Sequence, residues 1–112
     1  MLIEITRHKR KFKFVRPYYW KITIIDPKRP KEWPAEVGYL DRATGPNHQP
    51  MPGWQVDMYY PYNTVDDGVY LPDDLPEDEA VKEALEIAQE ILEKFRAQWD
   101  RDDGKPIKYM WG

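Results

Sequence analysis

The chain has 112 residues, 17 Lys/Arg against 20 Asp/Glu for a formal net charge of −3, 41% hydrophobic and 14% aromatic residues, and no cysteine. This length suits one domain that buries a core without covalent staples, and the aromatic content argues against a disordered chain. Lack of cysteine excludes disulfides, thiolate catalysis and cysteine metal sites, and fits a reducing, cytoplasmic location.

No apolar run approaches the roughly 20 residues of a membrane span, and the first residues lack the apolar centre of a signal peptide, so no membrane association is expected. Serine is absent, and eleven prolines accompany four threonines and two asparagines. Many charges, prolines in loops and few labile side chains lean towards a thermophilic composition.

Met1, Ile3 and Ile5 alternate with Leu2, Glu4 and Thr6 and read as a first strand, which the basic run Arg7-His8-Lys9-Arg10-Lys11 ends as a turn. Phe12 and Phe14 then share a face, and Pro17 implies an edge or a bulge. Beyond it Tyr18, Trp20, Ile22 and Ile24 fall on one face and Tyr19, Lys21, Thr23 and Ile25 on the other, the clearest strand pattern in the chain. Asp26 to Pro34 holds three prolines and reads as a stiff connection.

A strand over Glu36 to Leu40 is followed by a long loop of turn formers from Arg42 to Gly53. Trp54, Val56, Met58 and Tyr60 alternate with Gln55, Asp57 and Tyr59 in a half-buried strand that stops at Pro61, and Val69 to Leu71 is a short extended piece. Asp74 and Glu77 have the spacing of a capping box, Pro76 suits a first turn, and Glu77, Asp78 and Glu79 complement the helix dipole. Val81, Ala84, Leu85, Ala88, Ile91, Leu92, Phe95 and Trp99 then recur at helical spacing, with Glu83, Glu86, Glu90 and Glu93 on or beside the solvated flank.

The expected fold is α+β, an antiparallel sheet of about four to five strands packed on one long C-terminal amphipathic helix. In one domain over 1–112, the sheet occupies 1–60, an acidic, aromatic loop 61–75, the helix 76–103 and a final strand or tail 105–112. The expected core includes Trp20, Ile22, Leu85, Phe95 and Trp99.

Charge is divided along the chain. Residues 1–33 hold ten Lys/Arg against three Asp/Glu, and the remainder holds seven against seventeen. Either the two parts attract one another within the fold or each meets a different charged surface.

Residues that would carry chemistry are few. Without serine or cysteine the common acyl-transfer triads are excluded, and His8 and His48 have no spacing that makes a metal pair. Asp100-Arg101-Asp102-Asp103-Gly104 fails as a calcium loop, because Lys105 and Trp111 stand where that loop needs glycine and glutamate. The pairs Asp66-Asp67 and Asp73-Asp74 are read as turn and cap residues before a hydrolytic or metal role. Neither an enzymatic activity nor a cofactor is expected.

Two binding surfaces remain. Arg7, Lys9, Arg10, Lys11, Lys13 and Arg16, interleaved with Phe12, Phe14, Tyr18 and Tyr19, join phosphate-neutralising charge to rings on which bases can stack. A basic hairpin edge that discourages edge-to-edge pairing has the same composition. From Asp57 to Asp103 the chain carries fifteen acidic and four basic residues. There Tyr59, Tyr60 and Tyr62, beside Asp66, Asp67, Asp73 and Asp74, have the aromatic and acidic make-up that anchors an interface.

The preferred expectation is a non-enzymatic module docking this acidic, tyrosine-bearing surface on a protein partner with a basic patch; the alternative is nucleic-acid binding by the basic hairpin. In size and charge the chain resembles small single-domain phage proteins that inhibit host or defence nucleases, such as anti-CRISPR proteins. That resemblance implies an inhibitor seated on a groove that otherwise holds nucleic acid.

Overall fold

A computed structural model describes residues 1–11, 17–60 and 68–101. Five strands, β1 (Ile3–Lys9), β2 (Tyr18–Ile24), β3 (Glu36–Thr44), β4 (Pro50–Met58) and β5 (Val69–Leu71), form an antiparallel sheet in the order β1-β2-β3-β4-β5, and α1 (Glu77–Arg101) follows. The fold is the expected α+β arrangement. Each strand pairs with the next in sequence, as short connections favour.

Alternation in β2 and β4 decides which face is covered. Trp20, Ile22 and Ile24 on β2, Leu40 on β3, and Trp54, Val56 and Met58 on β4 are buried in one cluster with the helix residues Ala80, Ala84, Ala88, Leu92 and Phe95. The helix runs antiparallel to β1: Arg7 Nη1 lies 3.5 Å from Glu77 Oε1, whereas the Met1 amino group lies 3.8 Å from Glu93. Three alanines at four-residue spacing form the centre of its buried stripe. Their small side chains let the helix axis approach the sheet, while Val81, Ile87, Ile91 and Trp99 pack along the flanks.

That roll corrects two expected core positions. Leu85 and Trp99 are half-buried, whereas Trp20, Ile22 and Phe95 are buried. Periodicity locates a stripe, yet it weights leucine above alanine, and here close approach favours alanine. Trp33, inside the expected stiff connection, is 1% exposed. Its ring meets Phe95 at 5.0 Å, Trp99 at 5.8 Å and Tyr60 at 5.9 Å. Arg29 donates to its backbone oxygen, so the proline-bracketed connection folds as a plug over the end of the core.

Other boundaries also differ from the sequence reading. β1 continues through Lys9, so Arg7, His8 and Lys9 lie in a strand and not in a turn. β3 runs to Thr44 and β4 starts at Pro50, which turns the expected loop over 42–53 into a hairpin with a short 3₁₀ turn at Pro46–His48. Prolines are tolerated there because β5 pairs with β4 only from Trp54 onward, leaving the edge at Pro50 and Pro52 without a ladder to break. Gly53 is required by its backbone: φ is +105°, and a Cβ would stand 2.6 Å from Leu71 O.

At the helix start, the Pro76 oxygen accepts the Ala80 N–H at 3.0 Å, which makes Glu77 the first helical residue and leaves Asp74 outside the cap position. The expected strand or tail over 105–112 lies outside the described residues.

Candidate functional site

Two surfaces remain once the helix has covered one face of the sheet. The first is the solvent side of the helix and its lead-in. Between Asp73 and Glu93 stand nine carboxylates and one cation, Lys82. Arg42 holds Asp73 at 2.7 Å, Arg7 approaches Glu77, Lys94 meets Glu90 at 3.2 Å, and the amino terminus meets Glu93. Asp74, Asp78, Glu79, Glu83 and Glu86 have no cation partner among the described residues. Since the helix rises 1.5 Å per residue, Glu79, Glu83, Glu86, Glu90 and Glu93, at alternating four- and three-residue spacing, make a row about 21 Å long.

The second surface is the opposite face of the sheet. Register places His8 beside Tyr19, Thr6 beside Lys21, Lys21 beside Tyr39, Tyr39 beside Asp57, Asp41 beside Gln55, and Gln55 beside Tyr70. His8 and Tyr19 have ring centroids 5.7 Å apart, and Tyr39 and Tyr59 6.5 Å apart. Arg10 lies over the Tyr19 ring at 5.0 Å and grips Asp41 with both guanidinium nitrogens, one of them at 3.3 Å. Asp41 also accepts the Arg42 N–H at 2.8 Å.

Asp57, 4% exposed, is a different case. Gln55 Nε2 donates to its Oδ2, the Tyr39 hydroxyl faces the carboxyl, and Oδ1 has no hydrogen-bond partner among the described residues. Burial pushes this carboxyl above its ordinary value of 3.8, and the nearby Asp41 charge adds to the rise against the hydrogen bonds from Tyr39 and Gln55. Burial likewise raises the Tyr39 phenol, assisted by the Asp57 charge, and the Tyr59 phenol, assisted by Glu36.

The structure separates the residues named from sequence. Tyr59 is exposed, whereas Tyr60 packs its ring on Phe95 at 5.4 Å and on Trp33, on the core side. Asp73 and Asp74 are exposed, with Asp73 engaged by Arg42 and by the Gly53 N–H at 2.9 Å. Tyr62, Asp66 and Asp67 lie outside the described residues. On the basic side Arg7 and Arg10 turn to Glu77 and Asp41, Lys9 and Lys11 are exposed, and Lys13 and Arg16 lie outside the described residues. Gln55, Tyr39 and Asp57 were missed as a cluster, although Tyr39 and Asp57 sit on the polar side of two alternating strands.

An open cleft of about 430 Å³ lies between Met1, Asp26, Lys28, Glu93, Arg96 and Asp100. Four of its charges pair with one another: Met1 meets Glu93, and Arg96 meets Asp100 at 3.2 Å while also donating to the Lys28 oxygen at 3.3 Å. Among the described residues no three His, Asp or Glu side chains gather as a metal site, and no helix is long and apolar enough to cross a membrane. Compared with protein-family models, with curated proteins and with solved structures, the chain matches none.

Proposed function

We propose that the chain is a non-enzymatic interaction module that docks an acidic surface on a protein partner bearing a basic patch. The observation that carries this reading is the solvent side of the helix and its lead-in, where Asp74, Asp78, Glu79, Glu83 and Glu86 stand without cation partners among the described residues. Like charges in a row raise the local potential, and a basic partner both relieves that repulsion and is steered towards it. A helix is a rigid backbone mount for such a row, so little backbone freedom is lost when a groove closes on it. The partner fitting this shape and sign is a protein with a basic groove of the kind that holds nucleic acid.

The basic hairpin supports the nucleic-acid reading less well. Arg10 is committed to Asp41 and the exposed Arg7 faces Glu77, which leaves Lys9 and Lys11 as the cations of the described part of that run without a carboxylate partner among the described residues. Their phosphate contacts would show as a salt dependence of binding with a log–log slope near −0.7 to −0.9 per contact.

Binding kinetics test the proposal. Changing Glu79, Glu83 and Glu86 together to glutamine is expected to lower the association rate for the basic partner and to flatten its salt dependence, with dissociation little changed. Unchanged association in that variant would overturn it.

A further inference from the structure

Asp57 is not used by the docking surface, and its setting is unusual. A carboxyl 4% exposed, with one oxygen unpartnered, has no cation among the described residues to balance a negative charge. The groups that face it are Tyr39 from β3 and Gln55 from β4, with Asp41 on β3 and Tyr70 on β5 flanking Gln55. The cations nearby are committed elsewhere, Arg10 to Asp41 and Lys21 to Glu36 at 3.9 Å.

The backbone at the start of β5 closes the pocket. A Cβ at Gly68 would stand 2.5 Å from Asp57 Oδ1 and 3.5 Å from Gln55 Cγ, so this glycine is pressed against the carboxyl. β5 itself is weakly held. It has three residues, pairs among the described residues only with β4, and exposes Val69 and Tyr70. Short edge elements with little buried surface open first.

We infer that Asp57 is a proton-operated latch: protonated, the buried carboxyl seats Gly68 and the β5 edge against β4, and on losing its proton to solvent it opens that seat. An unpaired buried carboxylate must recruit water or a cation. Gly68 stands in the way of Oδ1, so hydration displaces β5 before it disturbs β2 or β3. The sign follows from the raised value. The protonated form is favoured more in the folded than in the unfolded chain, so the latch holds fully below the unfolded value near 3.8 and weakens as pH climbs through the higher folded value.

Hydrogen exchange of the Val69, Tyr70 and Leu71 amides, corrected for intrinsic rates and followed from about pH 4 to about pH 8, tests the latch. Protection of these amides is expected to fall by roughly threefold or more relative to β2, and Asp57→Asn is expected to abolish that fall. Carbon NMR of the unmodified protein gives a second reading that does not depend on a variant's folding: the Asp57 carboxyl should titrate above 3.8. Titration at or below the ordinary value, or the same pH profile in Asp57→Asn, overturns the latch.

Discussion

Arg7 in β1 and Glu77 in the first turn of α1 stand 3.5 Å apart, joining the basic and acidic parts of the chain at one corner of the fold. Both side chains are about half exposed there, where an ion pair contributes about 0 to 1 kcal/mol, so this contact orients the corner more than it holds it. The acidic row beyond Glu77 extends away from the basic hairpin and is not neutralised by it.

Packing under the helix makes the first prediction. Phe95 is 5% exposed and touches Trp33, Tyr60 and Trp99, so Phe95→Ala should cost ~3 to 5 kcal/mol in denaturant unfolding. Ala84→Leu should also destabilise, by about 1 to 3 kcal/mol, because Ala84 is fully buried in the core cluster and a larger side chain there overpacks it. Tolerance of leucine there would mean the helix stands off the sheet.

Neighbouring tyrosines should separate binding from folding. Tyr60→Ala removes a ring packed on Trp33 and Phe95 and should cost about 1 to 3 kcal/mol of stability. Tyr59→Ala, on the exposed face, should leave the thermal midpoint within a degree or two, corresponding to less than about 0.5 kcal/mol. Any effect of Tyr59→Ala on complex lifetime then reports contact, and equal stability losses in the two variants would contradict this division.

Global stability should carry the signature of Asp57. Because burial raises its carboxyl, stability at pH 7 should be lower than the same protein would have with a neutral isostere. Asp57→Asn is expected to raise the midpoint of urea unfolding at pH 7 and to lose that advantage near pH 4. A midpoint that drops at both pH values would show that the carboxylate is stabilised where it stands.

Much of this fold is legible in the sequence because strand alternation in Tyr18–Ile24 and Trp54–Met58 and helical spacing after Glu77 each report burial on one face. Trp33 was not legible, since a plug between prolines has no period to betray it. Leu85 misled because hydrophobic weight ranks it above alanine, whereas the helix seats its smallest residues against the sheet. Asp57 reads from sequence as an outward-facing strand position. Its burial depends on Tyr39, Gln55 and Gly68, which only the register brings together. The acidic row was visible as composition, and the structure adds which of its members the chain neutralises.

The central claim is tested most directly by capture from a nuclease-treated host lysate, with the unmodified protein and the Glu79→Gln/Glu83→Gln/Glu86→Gln variant as parallel baits. Both baits must first show the same thermal midpoint, so that lost capture reports lost charge. The docking account predicts a basic protein that survives nuclease treatment, is retained by the unmodified bait and is depleted at least several-fold on the variant. Equal retention on both baits, or retention of nucleic acid alone that vanishes with nuclease, would contradict it.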